Sequence, residues 1–178
     1  MYCSEQPYTF DQADILIDLE NQILILPKHN KKFQISTGLN GIGEQENSGK
    51  TPRGWHRIEK KIGHEHPINS VFKARVWTGE VYDQHLAEQN PDRDWILTRI
   101  MWLKGLEEGF NHGEGCDTFN RYIYIHGTPD SEPLGIPISH GCVRMHSPEV
   151  IQVFELIEEG ALVYISEQAL TKNNGVNA

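Results

Sequence analysis

Cys142 lies in the run Pro137 to Pro148, PISHGCVRMHSP, where Gly141 precedes it, His140 and His146 flank it and Arg144 follows. A thiol at its ordinary pKa is mostly protonated at neutral pH, so a nucleophilic cysteine needs a base or cationic neighbours. His126 stands sixteen positions earlier, at the end of the apolar run RYIYI. The intervening segment is rich in Pro and Gly and can fold back to bring imidazole and thiol together. In that arrangement His126 takes the thiol proton and later returns it to a leaving amine. A backbone carbonyl near Gly127, or Asp130, would fix the imidazole tautomer. Gly141 lets the backbone approach a substrate without a Cβ in the way. The N–H groups of residues 141 and 142 can then form an oxyanion hole, where one donor is worth about 3 kcal/mol. Arg144 offers a planar fork to a substrate carboxylate.

Plainer readings stand beside these. Cys142 can be a small buried thiol, His140 a donor that shapes its loop, and Arg144 a bridge between loops. A zinc site is the chemical rival, with His126, His140, Cys142 and His146 as usable ligand types and His64-Glu65-His66 as a further cluster. Against it, the chain has no Cys-x-x-Cys pair and no His-Glu-x-x-His helix; the expectation is no metal. Cys116, in the glycine-rich NHGEGC, reads as structurally neutral. The odd count of three cysteines, with Cys3, favours free thiols over a disulfide framework.

The elements that must position these groups read as mainly β. ADILIDLENQILILP, Ala13 to Pro27, predicts a hairpin turning at Glu20–Asn21, and Lys32 to Thr37 a third strand. Arg75 to Tyr82, Trp95 to Leu103 and Arg121 to Ile125 read as further strands, the last delivering His126 at its end. Gly38 to Gly54 and residues 105–118 are long loops, expected to border the cleft. One helix follows the cysteine: Ser147 is its expected cap and Pro148 suits its first turn. Val150, Ile151, Phe154 and Ile157 form its apolar stripe and Gly160 ends it. Ala161 to Ile165 is a closing strand. The four tryptophans default to core packing. The expected organisation is one domain over residues 1–178, with a core at about 13–167 and a polar tail over 168–178.

A formal net charge of −9 repels a phosphate backbone and argues against nucleic-acid binding. No apolar run approaches the ~18 residues of a membrane span, and the first residues lack a signal-peptide pattern. On that reading the chain is expected in the cytoplasm, or in the periplasm if its N-terminus was trimmed.

The pieces His126 and Ser139-His140-Gly141-Cys142 resemble the signature of the L,D-transpeptidase catalytic domain (YkuD-type) family. Thr51-Pro52-Arg53-Gly54 resembles its Thr-Pro-x-Gly loop, and Ser36-Thr37-Gly38 matches upstream. The resemblance implies a mainly β sandwich or barrel around a cleft, with one helix in the C-terminal half and long cleft-bordering loops. It implies action on peptidoglycan stem tetrapeptides, at the bond between the L-centre of the third residue (commonly meso-diaminopimelate) and terminal D-alanine. Cys142 would form the thioester, His126 would be the base and the Gly127 carbonyl its orienter. Ser139, His140, Gly141 and Arg144 would line the acyl site. No metal or organic cofactor is implied, and carbapenems are expected to acylate the cysteine. Without a visible leader the chain is similar to the family's short cytoplasmic branch. Water is then the expected acceptor, making an L,D-carboxypeptidase of murein recycling. The alternatives are a cross-linking or D-amino-acid-exchanging L,D-transpeptidase, and a non-catalytic muropeptide-binding module.

Overall fold

The computed structural model describes residues 8–170; Cys3 and residues 171–178 of the expected tail lie outside them. Ten strands form one sheet: β1 (Ile15–Asp18), β2 (Ile23–Leu26), β3 (Lys31–Gln34), β4 (Gly54–Ile62), β5 (Ser70–Lys73), β6 (Val76–Val81), β7 (Ile96–Gly105), β8 (Tyr124–Thr128), β9 (Val143–His146) and β10 (Leu162–Ser166). The helices are α1 (Gln84–Gln89) and α2 (Ser147–Leu156). Strand order is β3-β2-β1-β10-β4-β7-β5-β6, with β8 on the other edge of β7 and β9 beside β8. The expected mainly β, barrel-like fold is what the chain adopts.

Two features close the sheet on itself. β1 pairs in parallel with β10, Ile15 opposite Val163, so the first and last strands are neighbours. Beyond β3, single bridges join Ser36 to Arg144 and Gly38 to Ser139, stitching the far side of β9 back to the first hairpin. The interior holds Ile17, Leu24, Ile35, Ile58, Met101, Leu103, Ile125, Val143, Met145, Val163 and Ile165, all fully buried, and α2 covers it with Val150, Val153 and Phe154. Each such side chain stabilises the fold by about 1.5–3 kcal/mol through burial. A second apolar layer lies outside β1, β2 and β10, where Leu16, Ile25 and Trp55 pack with Tyr8, Phe10 and Tyr164. Apolar residues on both sides of ILIDLENQILIL are thus buried in two different clusters.

Several boundaries depart from the expectations. The strand read as Arg121 to Ile125 begins at Tyr124, because Tyr122 turns into the left-handed region at φ 57°. His126 therefore sits inside β8. The helix begins at Ser147 with His146 before it and no side-chain cap; Ser147 Oγ instead meets Thr98 Oγ1 at 2.6 Å. Val153 takes the inward place expected for Ile151, and α2 stops at Leu156, short of Gly160. The six-residue α1, capped by Asp83 Oδ1 accepting from Leu86 N–H at 2.7 Å, was not foreseen, nor were β4, β5 and β9.

Candidate active site

Pairing of β8 with β7 and β9 sorts their side chains onto two faces. His126 lies opposite Ile100 of β7 and Arg144 of β9, while Ile125 lies opposite Met101 and Val143. Side chains alternate along a strand, so His126 and Arg144 share a face with Tyr124, and Ile125 and Val143 share the face under α2. Cys142 stands just before β9 and packs on the first face, against the cluster of Phe72, Ile100 and Tyr124. Cys142 is half-buried; its Sγ accepts the Tyr124 N–H at 3.3 Å and donates to the Tyr122 carbonyl at 3.4 Å. The thiol hydrogen is therefore directed at a backbone oxygen and not at the imidazole in this resting arrangement.

His126 is buried, and its Nδ1 lies 2.7 Å from the Gly127 carbonyl oxygen. With the Nδ1 hydrogen on that carbonyl, the ring's lone pair is on Nε2, which is the tautomer a general base needs. Of the two orienters weighed from the sequence, the carbonyl holds the ring; Asp130 is exposed. A Cβ at Gly127 would come within 2.5 Å of the Leu97 carbonyl, so only glycine lets β7 and β8 approach there. The same spot is irregular on the β7 side: pairing skips between Leu97 and Ile100, and Thr98 is buried at φ 71°. A β-branched residue in that region is strained, and strain of this kind gathers at functional sites. Bonds from Asn69 N–H and to Ser147 hold Thr98 in place.

The loop before Cys142 is pinned from several directions. Ser139 N–H donates to the Thr37 carbonyl and Leu39 N–H to the Ser139 carbonyl, both at 2.8 Å. Thr51 Oγ1 donates to the Gly141 carbonyl at 2.9 Å and accepts the Gly38 N–H. Ser139 Oγ donates to the Cys142 carbonyl at 2.6 Å and accepts the Gly141 N–H at 3.1 Å. The Gly141 N–H is thus engaged inside the loop, which leaves Cys142 N–H as the oxyanion donor the loop can present. Gly141 itself sits at φ 120°, and a Cβ there would lie 3.1 Å from the Lys50 carbonyl. Of the two long loops, 38–54 therefore touches the cysteine loop. Residues 105–118 pack behind it, with Asn111 Nδ2 donating to the Arg53 and Trp55 carbonyls.

Arg144 is buried, and its Nη2 donates to Asp94 Oδ1 at 2.7 Å; Asp94 Oδ2 lies 3.2 Å from His140 Nδ1. Arg144 Nε is buried with no partner among the described residues. Asp94 was missed in the sequence, where nothing marks an aspartate beside Trp95 as the partner of an arginine fifty positions on. Recesses open on both sides of His140. One of about 320 Å³ is lined by Gly49, Arg121 and Tyr122; the other, of about 250 Å³, by Asp94, Glu132 and Arg144.

Burial pushes the His126 imidazole down to about 4, although the Gly127 carbonyl and Asp94 pull the other way. Burial also pushes the Cys142 thiol up to about 12, against the Tyr124 N–H and the more distant Arg144 and Arg121. Burial works against the Asp94 carboxylate, yet Arg144, His126 and His140 together hold it below the usual range. At neutral pH the site therefore rests as thiol and neutral imidazole. Among the described residues no three His, Cys, Asp or Glu side chains are grouped as metal ligands. His146 Nε2 is at 3.1 Å from the Glu132 carbonyl, and His64 stacks on Phe154. Cys116, a free thiol among the described residues of the 105–118 loop, lies within bonding distance of the His112 and Gly113 carbonyls.

Comparison with known proteins follows the same line. YqjB of Bacillus subtilis (strain 168), which carries a provisional L,D-transpeptidase assignment, is 42% identical over 50 residues, 28% of each chain. An L,D-transpeptidase of Enterococcus faecium shares the fold at 17% identity and TM-score 0.50, over 87% of this chain and 50% of that one. L,D-transpeptidase 3 of Mycobacterium tuberculosis, solved with a faropenem-derived adduct, does so at 15% identity and TM-score 0.50, over 86% and 59%. The chain thus spans well under two thirds of each of these proteins. A sequence model of the L,D-transpeptidase catalytic domain, YkuD, matches residues 12–165, and the chain belongs to that family.

Proposed function

We propose that this protein is a cysteine acyl-transfer enzyme of peptidoglycan, acting on stem tetrapeptides at the bond between the L-centre of the third residue and terminal D-alanine. The observation that carries the reading is the shared face of β8 and β9, on which His126, with its Nε2 lone pair, lies opposite Arg144 and on the same side as the Cys142 thiol. His126 Nε2 takes the Sγ proton as sulfur attacks the scissile carbonyl carbon. The tetrahedral oxyanion is met by Cys142 N–H, the donor not engaged by Ser139. Collapse breaks the C–N bond, the imidazolium gives its proton to the departing D-alanine amine, and the acyl group stays on sulfur as a thioester. In the second half, His126 takes a proton from the acceptor, which attacks the thioester and restores the thiol.

A thiol held near 12 and an imidazole near 4 make proton transfer part of the attack, with no thiolate stored beforehand. Alkylation of Cys142 by iodoacetamide in the free protein should accordingly climb about tenfold per pH unit from 7 to 10. A plateau below pH 8 would instead reveal a preformed thiolate.

With water as acceptor the reaction is L,D-carboxypeptidation, tetrapeptide to tripeptide plus D-alanine, which needs no second binding site. A second reading, transpeptidation, is favoured by the two recesses on either side of His140, room for a donor and an acceptor. Incubation with disaccharide tetrapeptide, with and without an added D-amino acid, separates these by mass spectrometry. Tripeptide and free D-alanine mark hydrolysis; an exchanged tetrapeptide or a cross-linked dimer marks transpeptidation; no product sinks both. A carbapenem adduct on Cys142 is the expected covalent trap.

A further inference from the structure

We propose that Arg75 anchors a carboxylate subsite beside Cys142, and that it reads the side-chain carboxylate of the third stem residue; this rests on the substrate class proposed above. Arg75 and Ala74 form the two-residue turn between β5 and β6, where Lys73 pairs with Val76. Both turn residues are left-handed, at φ 66° and 48°. Such turns favour Asn-Gly because other side chains are strained there. Here the strained position is held by an arginine whose guanidinium lies 4.7 Å from the Trp102 ring centre and 4.8 Å from that of Tyr122. Nη1 donates to Tyr124 Oη at 3.1 Å. Phe119 stacks on Trp102 at 3.9 Å, so the platform is itself braced. Tyr122, facing the guanidinium, is also left-handed.

The placement ties this group to the reacting sulfur. The two tyrosines that hold Arg75 are those whose backbone N–H and carbonyl bond Cys142 Sγ. The guanidinium has no carboxylate partner among the described residues, whereas Arg53, Arg57, Arg93 and Arg144 each have one. Held against the rings, with one nitrogen bonded to Tyr124 Oη, it keeps further N–H donors suited to a two-pronged bond with a carboxylate. Arg144 is in contrast already joined to Asp94. Arg121, the other cation that acts on the cysteine, has its guanidinium engaged by the Gly43, Glu44 and Lys50 carbonyls. A diaminopimelate side chain ends in a carboxylate; a lysine side chain or an amidated diaminopimelate does not.

The test is calorimetry of the Cys142→Ala protein with two stem tetrapeptides that differ only in amidation of the diaminopimelate side-chain carboxylate. The free carboxylate form should bind about tenfold more tightly. Arg75→Gln in the same background should abolish that preference and leave the amidated peptide unchanged. Arg75→Lys keeps the cation and loses the fork, and should retain part of it. Equal affinity for both peptides with Arg75 present, an equal loss for both in Arg75→Gln, or binding of neither would overturn the subsite. Turnover is read separately with Cys142 intact. A protein that binds with preference but releases no D-alanine overturns the function and keeps the subsite. One that turns over both peptides equally keeps the function and overturns the subsite.

Discussion

The two faces of β8 and β9 are built on one pair of strands and do opposite work. Under α2, Ile125, Val143, Met145 and Met101 are fully buried in the main apolar cluster, and that face is held by transfer of apolar surface from water. One residue along, Tyr124, His126, Arg144 and Cys142 are held through hydrogen bonds, an ion pair and a braced aromatic platform. Residues 124 to 126 thus alternate between holding the fold and handling protons within two positions. The dry face fixes where the wet face points, so a change on one should appear as lost stability and on the other as lost turnover.

Four changes can break that division, taken from the largest expected effect to the smallest. Cys142→Ala should remove all D-alanine release while leaving the thermal midpoint nearly unmoved; residual turnover would refute the nucleophile. His126→Gln should lower the rate by about 10²–10⁴-fold, the usual worth of a general base. The same variant tests a pH effect. His126 and the equally buried His56 both have folded pKa values lowered to about 4. Between about 6.5 and 4 the unfolded chain binds more protons, so stability is full above 6.5 and falls as pH drops through that window. His126→Gln should flatten the fall in thermal midpoint, with the share from His56 remaining; an unchanged slope would mean that His126 is not buried neutral.

On the dry face, Ile125→Ala should destabilise the fold by about 2–5 kcal/mol in denaturant titration, with KM of the folded protein little altered. A large KM change at modest loss of stability would show that the faces are not separable. Asp94→Asn should be mildest, because it keeps an acceptor for Arg144 and removes only the charge. KM should rise about tenfold, near the lower worth of a charge-assisted bond, with kcat less affected. Since Asp94 raises both the His126 and Cys142 values, its loss should also lower the pH at which the thiol alkylates.

How much of this could be read beforehand differs by element. The hairpin of β1 and β2 was legible because two short apolar runs rich in Ile flank the polar Glu20–Asn21, and α2 because its stripe and Pro148 mark a helix. Cys142, His126 and the Gly127 carbonyl were legible as types and spacing. Tyr122 hid the start of β8, since nothing in a tyrosine announces a left-handed turn. Asp94 and Arg75 were invisible for one reason: each acts through a partner about fifty positions away in the chain, and only the strand order brings them to the cysteine.

The parallel pairing of β1 with β10 has a consequence for how the protein is made. Leu16 and Ile17 are synthesised long before their neighbours in the sheet, Tyr164 and Ile165. The bridges from Ser36 and Gly38 to Arg144 and Ser139 wait almost as long. No nascent fragment that ends before β10 can close the barrel, and none that ends before Arg144 can assemble the cysteine loop; contacts this distant in sequence place folding on the order of milliseconds to seconds. A truncation before β10 should therefore yield an open, protease-sensitive chain with unpaired strand edges, in which Cys142 alkylates like any free thiol.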